Sequence, residues 1–393
     1  MGLGLSKPPV LASRNGGNRH AREGATHGPP FAAASAAASG RHARPAARRD
    51  ARGLPTGGAR IRYAGPAGFG RSGSIAPGGE ERRPPARGGI VCVGGDVPRT
   101  TIHVIDATAV LFRAYFAWAK IAAPDGREVG AVFGFCQSLV RFLRVVRPTH
   151  VALVFDAAEP TFRHEIYPRY KADRGEPPED LVPQFDFALR ASRALGFLGY
   201  CIPGFEADDL MATLAHRGTR ARLRTVLVTP DKDVQQLVGG SVFVMDPKSF
   251  VLVDAAGVEA RFGVPPARLP DLLALAGDPS DNIPGVPGIG PKGAAALVGT
   301  LGPLEEIYAN LDRIAELGIR GRGTMAAKLA AHREEAFLFR RLVELRRDAP
   351  LSDEAMTVGT LRYRGPNPDA DSVLEGLGLR APLRALRNMR EPG

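Results

Sequence analysis

The 393-residue chain holds 52 Lys+Arg against 41 Asp+Glu, a formal net charge of +11, with 44% hydrophobic residues. It contains no apolar run of about 18 residues, so no membrane-spanning helix and no membrane partner are expected. Its 3 cysteines, Cys92, Cys136 and Cys201, form no CxxC pair, which argues against zinc and against a disulfide scaffold and suits a reducing compartment.

Residues 1–99 hold 16 Lys+Arg and 5 Asp+Glu, an excess of 11 that equals the charge of the whole chain. Residues 100–393 are therefore neutral overall, and the high isoelectric point says nothing about a folded part. Nine acids gathered in one cleft would leave the rest of that part basic, which suits a polyanionic substrate. The first 99 residues carry an Ala/Ser tract from Phe31 to Gly40, scattered arginines and many Gly and Pro, with almost no apolar period. They are expected to form a disordered leader that resembles an organellar transit peptide.

Order is expected from about Thr101. Residues 101–105 read as a buried strand ending at Asp106, followed by a helix through Ala119. Val132, Cys136, Leu139, Val140, Leu143 and Val146 have helical spacing. Residues 149–155 read as a second strand, with Asp156 at its end, and residues 157–179 are polar and basic without a clear period. A helix over 181–196, a short strand at 200–202, a helix over 206–216 and a third core strand over 225–229 follow, with Asp231 just past that strand. Strands alternating with helices imply a mostly parallel sheet covered on both faces. Beyond about residue 262 only helices are expected, to about 347.

Sites in open α/β sheets form outside the carboxyl ends of the strands. Asp106, Asp156 and Asp231 all stand there. Asp also commonly caps the next helix, so any one of them alone has a structural explanation. Glu206-Ala-Asp208-Asp209 opens a helix, with Glu206 and Asp209 on one face, and Asp231-Lys-Asp233 opens another. Carboxylates converging in such numbers repel one another unless cations offset them. An all-oxygen ligand set without His or Cys points to Mg²⁺, with Mn²⁺ as a substitute. Two such ions can activate water and stabilise the leaving oxygen of a phosphodiester.

Asp278-Pro-Ser-Asp281-Asn282 is followed directly by Gly285-Val-Pro-Gly288-Ile-Gly290-Pro-Lys292. Glycines let the backbone approach a phosphate, Pro291 starts a helix, and the free N–H groups of that helix face an anion. With Lys292 in the first turn, the string fits a helix–hairpin–helix that grips a DNA backbone without reading sequence. A plain interhelical turn is the other reading.

The ordered strings together resemble the bacterial-type 5′–3′ exonuclease/flap endonuclease family, which includes the 5′-nuclease domain of DNA polymerase I and stand-alone relatives. They are Phe155-Asp156, Thr161-Phe-Arg-His-Glu-Ile-Tyr-Pro-Arg-Tyr-Lys171-Ala-Asp-Arg174, Gly204-Phe-Glu206-Ala-Asp-Asp-Leu210, Thr229-Pro-Asp-Lys-Asp233 and Gly277-Asp-Pro-Ser-Asp-Asn-Ile-Pro-Gly-Val-Pro-Gly-Ile-Gly-Pro-Lys292. The resemblance covers roughly residues 101–350. It implies an α/β fold: a PIN-like, mostly parallel sheet with helices on both faces and a helical arch, then an α-helical helix–three-turn–helix module. The expected organisation is a leader over 1–99, a nuclease domain over 100–262, the helical module over 263–350 and a C-terminal segment over 351–393 that closes the nuclease domain.

Carried over residue by residue, the resemblance gives two metal positions. The first would use Asp106, Asp156, Glu206, Asp208 and Asp209, and the second Asp231, Asp233, Asp278 and Asp281. Asp156 and Asp208 are the carboxylates expected nearest the chemistry. The basic segment 163–174 corresponds to the arch. Lys171 there would approach the scissile phosphate, where a cation stabilises developing charge. Arg163, Tyr170 and Arg174 would hold DNA. Gly288 and Gly290, often with a bound K⁺, and Lys292 would hold the duplex.

Two positions depart from the family pattern: Ala107 replaces the Gly after the first Asp, and Pro230 replaces the Gly of Thr-Gly-Asp. Neither is a ligand. The sequence ends at 393, and Val373-Leu-Glu-Gly-Leu-Gly-Leu-Arg380 resembles the segment that closes the nuclease domain, so the enzyme is expected to act as a monomer without a polymerase domain, alone or beside organellar polymerase or ligase partners. The expected activity is structure-selective cleavage of DNA 5′ ends and flaps, including RNA primers, in organellar replication and repair, and the Ala/Ser-rich leader favours the chloroplast over the mitochondrion. A non-cleaving branched-DNA-binding protein of the same fold and an RNA-directed PIN nuclease are the alternatives.

Overall fold

The computed structural model describes residues 100–318 and 321–388. The leader expected over 1–99 lies outside the described residues.

The centre of the fold is a six-stranded sheet in the order β3-β2-β1-β4-β5-β6. Its strands are β1 (Thr101–Asp106), β2 (His150–Val154), β3 (Leu198–Tyr200), β4 (Arg224–Val228), β5 (Val242–Met245) and β6 (Leu252–Val253). All pairs are parallel except β5–β6. β1, β2 and β4 are buried on both faces, which explains their unbroken apolar runs. The chain passes from β1 to β2 on one side and returns to place β4 on the other side of β1, so the order reverses there. Register aligns Asp106 with Val154 and Ile105 with Val228, which brings Asp106, Asp156 and Asp231 to one edge of the sheet. The sequence reading contained neither β5 nor β6. Both are short, and β5 has only the four residues Val-Phe-Val-Met between a Gly pair and Asp246.

α1 (Ala107–Ala117), α2 (Gly130–Val146), α3 (Phe162–Ile166), α4 (Val182–Ala194) and α5 (Ala207–Arg220) connect the first four strands. Phe135, Leu139, Leu153 and Leu195 build the core on the α1–α2–α4 face, and Leu210, Met211, Leu214 and Leu227 build it on the α5 face. The segment expected as the arch contains one short helix, α3, followed by turns. α6 (Ala255–Phe262) precedes a helical module of α7 (Leu269–Ala276), α8 (Pro291–Leu301), α9 (Leu304–Ala309), α10 (Arg322–Ala331) and α11 (Arg333–Val343), which has its own core around Leu273, Leu297 and Phe339. The chain then returns through α12 (Val358–Leu361), α13 (Ala370–Gly376) and α14 (Arg380–Arg387). Leu374, Leu377 and Leu386 join the core beneath α2 and α4, and the Tyr363 hydroxyl donates to Leu195 O at 3.0 Å. Among the described residues no helix is long and apolar enough to cross a membrane.

Candidate active site

A cleft of about 180 Å³ opens at the carboxyl ends of β1, β2 and β4. Asp106, Asp156, Glu206, Asp208, Asp231, Asp233 and Asp281 line it, facing Lys171 and Arg174. Asp106 is the last residue of β1 and also caps α1. Its Oδ1 accepts from Ala109 N at 2.9 Å, and its Oδ2 accepts from the Thr229 hydroxyl at 2.9 Å. The structural explanation of this Asp is thus true, and it leaves the carboxylate on the cleft. Asp156 Oδ1 accepts from Ala207 N at 2.7 Å, which ties the end of β2 to the first turn of α5. Asp231 N donates to Thr229 Oγ1 at 3.1 Å, and Asp156 N donates to Thr108 Oγ1 at 2.8 Å. Sequence reasoning passed over both threonines. Their signal was adjacency: Thr108 is two residues after Asp106 and Thr229 two before Asp231.

Burial, reinforced by the Asp156 charge, pushes the Asp106 carboxyl up to about 7. Asp208 is held well above the usual carboxylate range by burial first, then by Asp231, Asp106 and Asp156. Burial followed by the Asp231 charge raises Asp233 to about 8. Asp156 is raised for the same first reason, and its side chain is exposed at the cleft. Buried Asp233 Oδ1 has no hydrogen-bond partner, only an ion-pair contact with Lys232 Nζ at 3.3 Å. Carboxyl groups that raise one another's pKa, with an unsatisfied buried oxygen among them, fit hard divalent cations: the cation would remove the repulsion and take the free lone pairs. Among the described residues no three of these acids already stand close enough together to hold an ion, so a cation would have to draw Asp106, Asp156, Asp208 and Asp231 together, with Asp233 beside them.

Three of the residues singled out from sequence have internal partners, and of these Arg163 and Tyr170 also line the cleft. Asp209 was expected to bind metal, but it is fully buried and turned away from the cleft. Its two oxygens accept from Arg163 Nη1 and Nη2 at 2.7 and 2.8 Å, and Oδ1 also accepts from Arg346 N. Arg163 was expected to hold DNA, but it is 1% exposed and also donates from Nε to Leu342 O at 2.8 Å. Glu206 and Asp209 do share one face of α5, and the cation on that face is Arg163, which reaches Glu206 Oε2 at 3.6 Å. Tyr170 was expected on DNA as well. It is 2% exposed, and its hydroxyl donates to Asp281 Oδ2 at 2.8 Å and Glu206 Oε2 at 3.1 Å.

Lys171 and Arg174 do face the cleft. Lys171 has a left-handed backbone (φ 55°), and its N–H donates to Asp281 O at 3.0 Å. Its Nζ lies 2.9 Å from Glu206 Oε1, and these acids hold its pKa above the usual lysine value against the opposing effect of burial. Arg174 Nη2 lies 2.6 Å from Asp281 Oδ1 and remains half exposed. Asp278 is buried outside the cleft lining, and its Oδ2 accepts from Lys232 Nζ at 2.5 Å. Burial opposes ionisation there, but the Lys232 ammonium outweighs it and holds the carboxyl below its usual value.

The hairpin follows directly. Gly285 (φ 69°) packs so closely that a Cβ would sit 2.3 Å from Gly277 N and 2.7 Å from Leu275 O. Gly288 (φ 79°) and Gly290 are exposed on either side of buried Ile289, and Gly290 caps α8. Lys292 is exposed in the first turn of α8. A Cβ on Gly288 would meet Lys328 Nζ at 2.4 Å, so a lysine of α10 sits over the hairpin. The sequence reading did not include Lys328, which is 40 residues away along the chain.

Residues 101–263 match the 5′–3′ exonuclease N-terminal resolvase-like domain, and residues 264–369 match the 5′–3′ exonuclease C-terminal SAM fold. The chain belongs to the 5′–3′ exonuclease family. Among its relatives are DNA polymerase I of Pseudomonas aeruginosa, 40% identical over 252 residues (64% of this chain, 28% of the relative). DNA polymerase I of Mycobacterium tuberculosis is 38% identical over 276 residues (68% and 29%), and the thermostable DNA polymerase I of Thermus thermophilus is 36% identical over 289 residues (74% and 32%). The chain therefore spans about three-tenths of these relatives or less. Its fold resembles that of the bacteriophage T5 flap endonuclease solved with DNA and metal ions (TM-score 0.51, 19% identity, 74% of this chain and 97% of that one). It also resembles the catalytic core of Rad2 solved with DNA substrate (TM-score 0.51, 17% identity, 74% and 93%). The family fold is thus a PIN-like, mostly parallel sheet followed by a helical module, as the sequence strings implied.

Proposed function

We propose that this chain is a structure-selective 5′-nuclease that hydrolyses DNA phosphodiesters with two divalent cations, Mg²⁺ or Mn²⁺. The observation that carries the reading is the cleft itself: Asp106, Asp156, Asp208 and Asp231 line it at the strand ends with no Lys or Arg in ion-pair contact among the described residues, across from Lys171 and Arg174. Bound cations would polarise the scissile phosphate and lower the pKa of the attacking water. The chain's own groups do the rest. Thr229 and Thr108 fix the orientation of the strand-end acids. Lys171 and Arg174 place positive charge where a phosphate oxyanion gains charge. Gly288, Gly290, Lys292 and Lys328 offer amides and ammonium groups to a duplex backbone, with a K⁺ ion at the hairpin as a further ligand. Family membership beside DNA polymerase I supports DNA as the substrate.

The activity would remove 5′ flaps and RNA primers in replication and repair by a monomer acting beside a polymerase or ligase. The composition of residues 1–99 supports an organellar, chloroplast-favoured site of action. The full chain should cut an end-labelled 5′-flap duplex near the branch in Mg²⁺ or Mn²⁺ and stop with EDTA. A parallel single-stranded RNA substrate should survive. No cut with either ion sinks the reading, and preferential cleavage of the RNA turns it into an RNA-directed nuclease. Imaging the full chain with a C-terminal fluorescent tag tests the location; diffuse signal outside chloroplasts and mitochondria overturns it.

A further inference from the structure

The nine carboxylates divide by cationic neighbours differently from their division by sequence. Among the described residues, Asp106, Asp156, Asp208 and Asp231 have no Lys or Arg ion pair. The other five do: Glu206 and Asp209 with Arg163, Glu206 also with Lys171, Asp281 with Arg174, and Asp233 and Asp278 with Lys232. Lys232 stands between two of the acids in Asp231-Lys-Asp233, and its ammonium, like that of Lys171 between Glu206 and Asp281, bridges carboxylates from two separate segments. Nζ lies 2.5 Å from Asp278 Oδ2, 3.3 Å from Asp233 Oδ1 and 3.5 Å from Ser280 Oγ. Asp278 Oδ2 and Ser280 Oγ accept hydrogen bonds from the ammonium, and Asp233 Oδ1 stays in ion-pair contact only. Asp233 and Asp278 are also oxygens that a second divalent cation would need.

Two positive centres cannot share these oxygens without strong repulsion. Lys232 has somewhere to go: its side chain is 34% exposed, on a flexible four-carbon stem. Arg163, by contrast, is sealed in. We propose that Lys232 is an internal counter-cation that holds the Asp233–Asp278 side of the cleft until a second divalent cation displaces it, so that the two cations bind with unequal strength. The tighter position is the open set Asp106, Asp156, Asp208 and Asp231, where nothing competes. The weaker is at Asp233 and Asp278, and Lys232 sets the difference. Lys232 is thus a positioning residue, and metal-free protein avoids bringing Asp233 and Asp278 together uncompensated. The inference rests on the metal-dependent reading proposed above.

The test is Mn²⁺ titration of the metal-stripped full chain, followed by calorimetry and by the electron paramagnetic resonance signal of free Mn²⁺. The wild type should show a tight and a weak class. Lys232→Met should tighten the weak class about tenfold, on the order of one charge-assisted hydrogen bond, and leave the tight class unchanged. Lys232→Arg, which keeps the charge, should keep the weak class weak. A residue with only a structural role would leave the weak class where it was or weaken both classes. If Lys232→Met does not fold, Lys232→Gln carries the same expectation. An unchanged or weakened second class in a folded neutral variant overturns the role of Lys232 alone. A wild type that takes up no Mn²⁺ overturns the proposed function, and this inference with it.

Discussion

Replacing Arg163 by Met should destabilise the protein without first touching the DNA surface. The guanidinium is 1% exposed and meets Asp209, itself fully buried, through two hydrogen bonds of 2.7 and 2.8 Å. Its Nε also satisfies Leu342 O at the end of α11. Removing one member of a buried pair leaves the other charge uncompensated, at a cost of about 3–5 kcal/mol. The orphaned carbonyl adds about 1 kcal/mol. Urea unfolding of wild type and Arg163→Met should show a loss in this range. The double variant Arg163→Met/Asp209→Asn should recover about 2 kcal/mol or more, because the stranded charge is gone while an amide oxygen remains for the Arg346 N–H. A single-variant loss under about 1 kcal/mol, with weakened DNA binding instead, would mean that Arg163 is a surface DNA contact after all.

Further outcomes follow from the same geometry. Asp106 and Asp233 titrate near about 7 and about 8 in the fold, above their unfolded values, so the native state holds extra protons between. Their contribution is full below about pH 4 and is lost as pH rises through about 7 to 8, so the melting temperature of EDTA-treated protein should fall over that window. Mg²⁺ should restore more stability at about pH 8 than at about pH 5; equal restoration would contradict the placement of the ion among these acids. Gly285→Ala should fail to fold its helical module, since its Cβ meets backbone at 2.3 Å, whereas Gly288→Ala should fold with a loss of about 1–2 kcal/mol and weaker flap binding. Far-UV circular dichroism and a flap titration separate the two, and equal behaviour would refute the distinction. Tyr170→Phe should cost about 1–2 kcal/mol in unfolding free energy and leave the flap dissociation constant unchanged; a weakened constant at full stability would put Tyr170 on the DNA.

Much of the sheet was legible because parallel strands buried on both faces have continuous apolar runs that end abruptly, and the acids at those ends mark the site. β1, β2, β4 and the helices between them followed from that pattern. β5 and β6 did not, because strands of four and two residues carry too little period. Within the site, the sequence named the acids but could not divide them. Asp208 and Asp209 are neighbours, yet the helix turns successive side chains about 100° apart, so one reaches the cleft and the other Arg163. Whether a basic residue faces DNA or an internal carboxylate depends on long-range packing. Arg163 meets its partners 46 and 179 positions away, and no local spacing encodes that. Lys232 was visible between two acids, but its bond to Asp278 required the fold.

In the proposed function the open acids perform phosphodiester hydrolysis rather than only bind branched DNA. Asp208 is the acid to change, because it lines the cleft without a hydrogen-bond or ion-pair partner among the described residues. Wild type and Asp208→Asn full chains should be compared on one labelled 5′-flap duplex, with binding measured in EDTA and cleavage in Mg²⁺. Comparable binding is expected, with cleavage by the wild type and a loss of at least about a hundredfold in the variant. Comparable binding with no cleavage by either protein, or cleavage by Asp208→Asn at the wild-type rate, would contradict it.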